Sequence, residues 1–198
     1  ENSYIRYVDQ MVFELVCKMI QESIQKGMKM VPISFNLSKA SFEDEPFMQE
    51  YMEVFQQFDI PKEYIEFELL ESISMDNSDK LIKVVDTIHK EGFRCALDDF
   101  GSGYSSMSVL ARVPIDIIKL DRSLFQNPYR DIDNFLIVDG LLDILHHFPV
   151  QIVAEGVEDE TVAEHMRQHG CDMIQGFYYY RPMPMDEFQR LIAEQGEC

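Results

Sequence analysis

Two adjacent carboxylates follow a predicted buried strand in the segment CALDDFGSGYSS, residues 95–106. Neighbouring side chains on a strand point to opposite faces, so Asp98 and Asp99 reach one site only where the backbone turns. Gly101 and Gly103 permit such a turn. The stretch lacks the GxGxxG and GK[ST] fingerprints of phosphate loops. On its own it fits either a capped turn or a pair of metal ligands.

Polar side chains end five other predicted strands as well. The six groups are Asn36, then Glu68 and Glu71, then Asp98 and Asp99, then Lys119 and Asp121, then Glu155 and Glu158, then Gln175. The candidate ligands are all hard oxygen donors, and no histidine or cysteine joins them: Asn36, Glu68, Asp98, Asp99 and Glu155. Oxygen-only sets suit Mg²⁺ or Mn²⁺ rather than Zn²⁺. Five donors exceed what one Mg²⁺ takes from protein, so a pair of ions that serves in-line phosphoryl chemistry fits better.

Each signal also has a simpler structural reading. Asn36 could cap the next element, and Glu68 and Glu71 could be solvated at a strand end. Lys119 could form a surface ion pair with Asp121. The segment EGVE, residues 155–158, could be the acidic start of a helix. The recurrence at six consecutive strand ends favours a site, in which Lys119 would neutralise charge, orient water or stabilise developing phosphorane charge.

The predicted elements alternate along the whole chain. Helices are predicted over 5–26, 45–58, 77–91, 104–111, 131–147, 159–169 and 185–195, and strands over 31–38, 64–71, 93–99, 115–121, 150–158 and 171–179. This alternation predicts parallel strands with right-handed crossovers, in a doubly wound sheet or part of a (β/α)8 barrel. A doubly wound sheet feeds its site from two or three strands, whereas a barrel mouth collects all strand ends. Six contributing strands favour the barrel.

Composition narrows the function. The chain has 198 residues, 46% hydrophobic, and a formal net charge of −19. An acidic surface disfavours nucleic acid but allows a small anionic substrate where bound cations reverse the local field. The four cysteines are far apart and predict reduced thiols. The five histidines fall on predicted helices, away from the strand ends, and we assign them no functional role. No membrane segment or signal peptide is visible in this chain.

The ordered motifs SFNLS, FELLES, LDDFGSGYSS, IKLD, AEGVE and QGFYY resemble the EAL-domain family of cyclic di-GMP phosphodiesterases. The resemblance implies a (β/α)8 TIM-type barrel that hydrolyses cyclic di-GMP to linear pGpG with two Mg²⁺ or Mn²⁺ ions. It further implies the following roles: Asn36, Glu68 and Asp98 bind one metal; Asp99 and Glu155 serve the second; Lys119 positions the attacking water; Asp121, Glu158 and Gln175 bind substrate or support the site; Glu71 anchors a regulatory loop that includes Phe100, Gly101, Ser102, Gly103 and Tyr104.

The sequence departs from the family in three places. Ser102 and Leu70 stand where threonine is common, and the Glu-Ala-Leu motif with its arginine is absent from this chain. We therefore expect one domain over 1–198, the C-terminal three quarters of a barrel with about six of eight strands. We expect these residues alone to be weak or inactive. The alternative function is a noncatalytic cyclic di-GMP receptor.

The resemblance also implies partners and a location. Expected partners are cyclic di-GMP, a second copy in a homodimer, and an upstream sensory or diguanylate-cyclase domain. The expected location is the bacterial cytoplasm, with membrane tethering only through a segment outside this chain.

Overall fold

The computed structural model describes residues 2–42, 46–70, 78–102, 110–125 and 135–195. Several predicted features lie outside these residues. They are Glu71, Gly103 and Tyr104 of the proposed site, nearly all of the helix predicted over 104–111, and the first four residues of that predicted over 131–147.

Six α-helices are found in the described residues. They are α1 Asn2–Gln25, α2 Phe47–Phe55, α3 Ser78–Lys90, α4 Leu136–Leu145, α5 Glu160–Gln168 and α6 Met185–Gln195. Each matches a helix predicted from hydrophobic periodicity. Asp159 shows why α5 begins where it does, because its carboxylate accepts a hydrogen bond from Val162 N at 3.0 Å. Among the described residues, no helix combines the length and apolar character that crossing a bilayer requires.

Six strands form one sheet in chain order. They are β1 Ile33–Asn36, β2 Ile65–Leu70, β3 Arg94–Phe100, β4 Ile117–Leu120, β5 Gln151–Ala154 and β6 Met173–Ile174. The β1–β2, β3–β4, β4–β5 and β5–β6 pairs are parallel. Parallel neighbours in sequence order, alternating with helices, define the (β/α)8 TIM-type class with about six of its eight strands. The predicted fold class is confirmed.

The last predicted strand is shorter than expected. Only Met173–Ile174 is a strand, and residues 177–179 form a turn in which Tyr179 N and Tyr180 N both donate to Gly176 O at 3.1 Å. The strand prediction over 175–179 was wrong because aromatic residues have high strand propensity, while the turn depends on a close backbone approach at Gly176. A Cβ at this glycine would lie 2.1 Å from Val157 O.

The chain divides into two compact units. Unit 1 comprises Glu1–Leu69, Asp86–Arg94 and Pro182–Cys198. Its core is aromatic: the Phe13 ring lies 5.1 Å from Tyr51 and 5.4 Å from Phe35, and Phe67 lies 5.3 Å from Phe93. Edge-to-face pairs of this kind stabilise beyond the area they bury. The core therefore holds α1, α2 and strands β1 and β2 together.

Unit 2 comprises Leu70–Val85 and Cys95–Arg181. Aliphatic side chains from three neighbouring strands, Ala96, Ile117 and Val153, pack in one buried cluster. The parallel strands of this unit are apolar along most of their length because both faces are covered. The polar residues that interrupt this pattern are therefore the ones that need an explanation.

Candidate active site

The Asp98–Asp99 pair lies at the end of β3, where the strand pairing is interrupted. The β3–β4 register shifts between Leu97 and Phe100, and Asp99 has a positive φ of 57°. A bulge of this kind re-aims side chains at the end of a strand. The turn that we expected from Gly101 and Gly103 therefore begins two residues before the first of them, at Asp99 itself. Asp98 Oδ1 accepts a hydrogen bond from Asp99 N at 2.9 Å.

Gly101 continues this turn with a φ of 94°. A Cβ at Gly101 would lie 2.5 Å from Cδ1 of Leu124. Both the backbone conformation and the space therefore favour glycine here. Of the proposed regulatory loop, the structure describes Phe100, Gly101 and Ser102.

Lys119 is a buried cation on β4. Its side chain is only 7% exposed, and Nζ lies 2.5 Å from Glu155 Oε1 and 3.9 Å from Asp98 Oδ1. The idea of a surface ion pair is wrong for this lysine, which is buried and contacts two carboxylates from the neighbouring strands. Truncating one member of such a buried set costs about 3–5 kcal/mol, because it leaves uncompensated charge.

Glu155 directly follows β5 and completes this group. Its backbone N donates to Leu120 O at 3.0 Å, which continues the β4–β5 ladder beyond the strand. Burial raises the pKa of Glu155 to about 7, with Asp98 adding to the rise and Lys119 opposing it. Glu155 is not the start of a helix, because α5 begins at Glu160. Because this pKa is close to neutral pH, the carboxylate of Glu155 needs cationic partners to stay ionised.

Asn36 and Glu68 form a second group, in unit 1. They are register partners at the end of the β1–β2 pair, and Leu37 N donates to Glu68 O at 2.9 Å. Glu68 is 5% exposed, so it is not a solvated strand-end residue. Asn36 is exposed. Asp98, Lys119 and Glu155 belong to unit 2.

The supporting residues have other contacts. Asp121 Oδ1 accepts from Ser123 N at 3.0 Å and caps the short helical turn Arg122–Leu124. Glu158 Oε1 lies 3.5 Å from Arg122 Nη1. Gln175 is exposed, and its backbone bonds Ala154 O and Val157 N. Asp121 thus has a structural task of its own.

Two further charged residues were not identified from the sequence. Arg122 adds a cation beside Glu158 and lies two residues after the end of β4. Glu66 is buried in unit 1, with Arg94 Nη1 at 2.8 Å and Ser34 Oγ at 3.4 Å. The two-residue spacing of Glu66 and Glu68 on β2 places both on one face and is the signal that could have found Glu66.

The strand order and the buried carboxylate–lysine group define a (β/α)8-type protein with an acidic, oxygen-donor site at its strand ends. Three comparisons identify the family. The family model described as the EAL domain matches residues 1–182. The chain therefore belongs to the EAL domain family, as its motifs predicted.

Individual relatives agree. The signaling protein YkoW of Bacillus subtilis is 29% identical over 195 residues, which cover 98% of this chain and 24% of that protein. The cyclic di-GMP phosphodiesterase PdeB of Shewanella oneidensis is 32% identical over 169 residues, 83% of this chain and 20% of that protein. The crystal structure of the EAL domain of Mycobacterium smegmatis DcpA matches with a TM-score of 0.87 and 27% identity, covering 96% of this chain and 85% of that one. The chain thus spans about a quarter or less of these two curated relatives.

Proposed function

We propose that this chain is a metal-dependent phosphodiesterase domain that hydrolyses cyclic di-GMP to linear pGpG. The single observation that carries the proposal is the buried Lys119 between Glu155 and Asp98, at 2.5 and 3.9 Å. A binding module has no need of a buried cation held between two acids, whereas phosphoryl transfer uses such a group to stabilise transition-state charge. The likeness to PdeB, named a cyclic di-GMP phosphodiesterase, supports the substrate.

The donor set fits two Mg²⁺ or Mn²⁺ ions. All proposed ligands offer oxygen, and Glu155 is an acid whose pKa burial raises to about 7, so a nearby dication would keep it ionised. We propose that one ion is held by Asn36, Glu68 and Asp98, and the second by Asp99 and Glu155. When bound, the ions supply Lewis-acid stabilisation of phosphoryl charge.

The protein side chains have separate tasks in this proposal. Lys119 Nζ orients the attacking water and stabilises the negative charge that develops on the phosphoryl oxygens. Glu155 holds Lys119 in place through their 2.5 Å contact. The side chains of Arg122, Glu158 and Gln175 are exposed, so they are available to the substrate. Asp121 supports the turn that carries Arg122.

The regulatory features of the family stay predictions for this chain. We propose a homodimer in which the segment that begins at Phe100 responds to metal occupancy and Glu71 anchors it. Glu71, Gly103 and Tyr104 lie outside the described residues, so this part rests on the motif alone. Light scattering of the intact protein with and without Mg²⁺ measures the association directly.

The test compares turnover with binding in the intact protein. We expect the wild type to release pGpG in Mn²⁺, and Asp98→Asn to lower the rate by at least about a hundredfold without unfolding. Asp143→Asn is the matched control, because Asp143 is an exposed aspartate on α4. Tight binding of cyclic di-GMP without release of pGpG by the wild type would overturn the enzyme proposal and favour the receptor.

A further inference from the structure

Two consecutive helices of unit 2 bring three metal-ligating side chains together, away from the strand ends. Asp139 lies in the first turn of α4, His165 lies on α5, and His169 follows the last residue of α5. One ligand atom from each of the three lies within 4.8 Å of the other two. His165 and His169 are four residues apart, and this spacing places both on one face of a helix.

The hydrogen bonds define which ring nitrogen of each histidine carries a proton. His169 Nδ1 lies 2.9 Å from His165 O, and a carbonyl only accepts, so Nδ1 carries the proton and Nε2 keeps its lone pair. Metal-binding histidines usually fix their tautomer in this way, by donating the other ring N–H to a carbonyl. His165 Nε2 lies 2.6 Å from Asp139 Oδ1. An ion between these two atoms would replace the shared proton.

Aromatic stacking positions the central ring. The His165 ring lies between Phe135, at 3.6 Å and 14° between planes, and His169, at 4.0 Å and 17°. The His165 side chain is 19% exposed and that of Asp139 32%, so both remain accessible to solvent. The His165 and His169 rings are nearly parallel, so their nitrogen lone pairs do not converge on one point. One ring must tilt before both can bind the same ion. His169 is the exposed member and has room to do so.

We propose that Asp139, His165 and His169 form a metal site for Zn²⁺ or a related transition-metal dication. Two imidazoles and one carboxylate are a ligand set for borderline ions, and three protein ligands leave a coordination position for water. This chemistry differs from the all-oxygen set at the strand ends. The site connects α4 to the end of α5, so an occupied site ties the two helices together.

The experiment titrates Zn²⁺ into the intact protein, freed of any affinity tag and held in excess Mg²⁺. Magnesium occupies oxygen-donor sites and leaves the imidazole site to Zn²⁺. At free Zn²⁺ about a hundredfold above the dissociation constant, we expect the melting temperature to rise by roughly 5–10 °C. Co²⁺ serves as a second probe, because its visible d–d absorption reports coordination by nitrogen and oxygen.

Variants assign the ligands. We expect His169→Ala and Asp139→Asn each to weaken Zn²⁺ binding at least tenfold and to remove the Co²⁺ absorption. His147→Ala is the matched control, because His147 is also exposed and its Nδ1 also bonds a carbonyl four residues earlier, Asp143 O at 2.8 Å. This variant should bind Zn²⁺ as the wild type does. Circular dichroism checks that every variant keeps its helices.

Two results would overturn the site. One is a wild-type protein whose melting temperature and Co²⁺ spectrum do not respond to millimolar metal. The other is a response that persists unchanged in both His169→Ala and Asp139→Asn. Neither result depends on turnover of cyclic di-GMP, so the metal site is tested independently of the proposed activity.

Discussion

Lys119 and its partners are charged groups whose burial costs free energy of folding. It is a buried cation, its partners are two acids, and one of these, Glu155, has its pKa raised to about 7 by burial. Replacing such a buried ionic group as a whole by well-packed apolar side chains of similar volume is often neutral or stabilising. Fold stability alone therefore does not account for the charge at this position, and the chemistry of the proposed site does.

Replacing Lys119 by methionine tests this charge. Lys119→Met keeps the aliphatic volume and removes the ammonium group, so we expect the protein to fold and the turnover rate to fall at least about a hundredfold. Steady-state release of pGpG and thermal melting measure the two effects. Lys90→Met, at an exposed position at the end of α3, is the control and should keep the wild-type rate. A near-normal rate for Lys119→Met would refute the assigned role.

The described cysteines should be nearly inert. Burial raises the pKa of Cys17 and of Cys171 to about 12 and that of Cys95 further, so the neutral thiol is favoured until strongly alkaline pH. At pH 8, a thiol with a pKa near 12 rather than 9.0 has roughly a thousandfold less thiolate, which is the reactive form.

We therefore expect iodoacetamide to modify these three cysteines rapidly only after unfolding in urea. Peptide mass spectrometry measures the modification of each cysteine separately. It therefore distinguishes these three from Cys198, which lies outside the described residues. Rapid native-state labelling of Cys17 or Cys95 at pH 8 would contradict the burial.

The residue types of the site could be predicted from sequence, but the backbone that aims them could not. Glu68, Asp98, Lys119 and Glu155 stand out because charged residues interrupt or directly follow apolar strands. The positive φ of Asp99 had no such signal, since glycines two and four residues later are the more probable turn formers. The partner of Lys119 was equally hidden, because Asp121 is its neighbour in sequence whereas Glu155 becomes its neighbour only through the β4–β5 pairing.

At the scale of elements, the packing of the turn after β6 against the segment after β5 depends on Gly176. A Cβ at Gly176 would clash with backbone atoms of Val157. A flexible side chain could move away from such a clash, but these backbone atoms cannot move without shifting the loop. Tyr178 N also donates to Val157 O at 3.0 Å, so the same atoms hold the turn that follows β6.

Gly176→Ala should therefore destabilise the protein by about 2 kcal/mol or more through this clash. Gly140→Ala is the matched control: Gly140 lies exposed within α4 with nothing within 4 Å of its added Cβ. It should stabilise by about 0.5–1 kcal/mol, because alanine favours the helix. Urea unfolding measures both changes. Equal effects of the two substitutions would mean that the close approach at Val157 is not rigid.

Helices were predicted more accurately than strands. The periodic apolar faces of α1 and α6 extend over whole helices, and the observed α6, Met185–Gln195, has the predicted bounds. The observed strands are short, and β4 covers Ile117–Leu120 where 115–121 was predicted. Strand ends depend on which neighbour continues to pair, and this is tertiary information that a local pattern lacks.

At the scale of the whole molecule, the net charge of −19 and the anionic substrate must be reconciled. A phosphodiester approaching an acidic protein is repelled unless cations reverse the field at the site. In the proposed function, the carboxylates at the strand ends bind such cations, so the acidity of the site and the binding of an anionic substrate have one explanation. Substrate binding should accordingly depend on the metal as well as turnover.

The most direct test of the account is the metal dependence of cyclic di-GMP hydrolysis by the intact protein, measured by chromatographic separation of pGpG. The account predicts turnover with Mg²⁺ or Mn²⁺, loss of turnover in excess EDTA, recovery when either ion is restored, and no support from Ca²⁺, which is larger and looser in geometry. A full rate in excess EDTA, or with Ca²⁺ as the sole dication, would contradict the account.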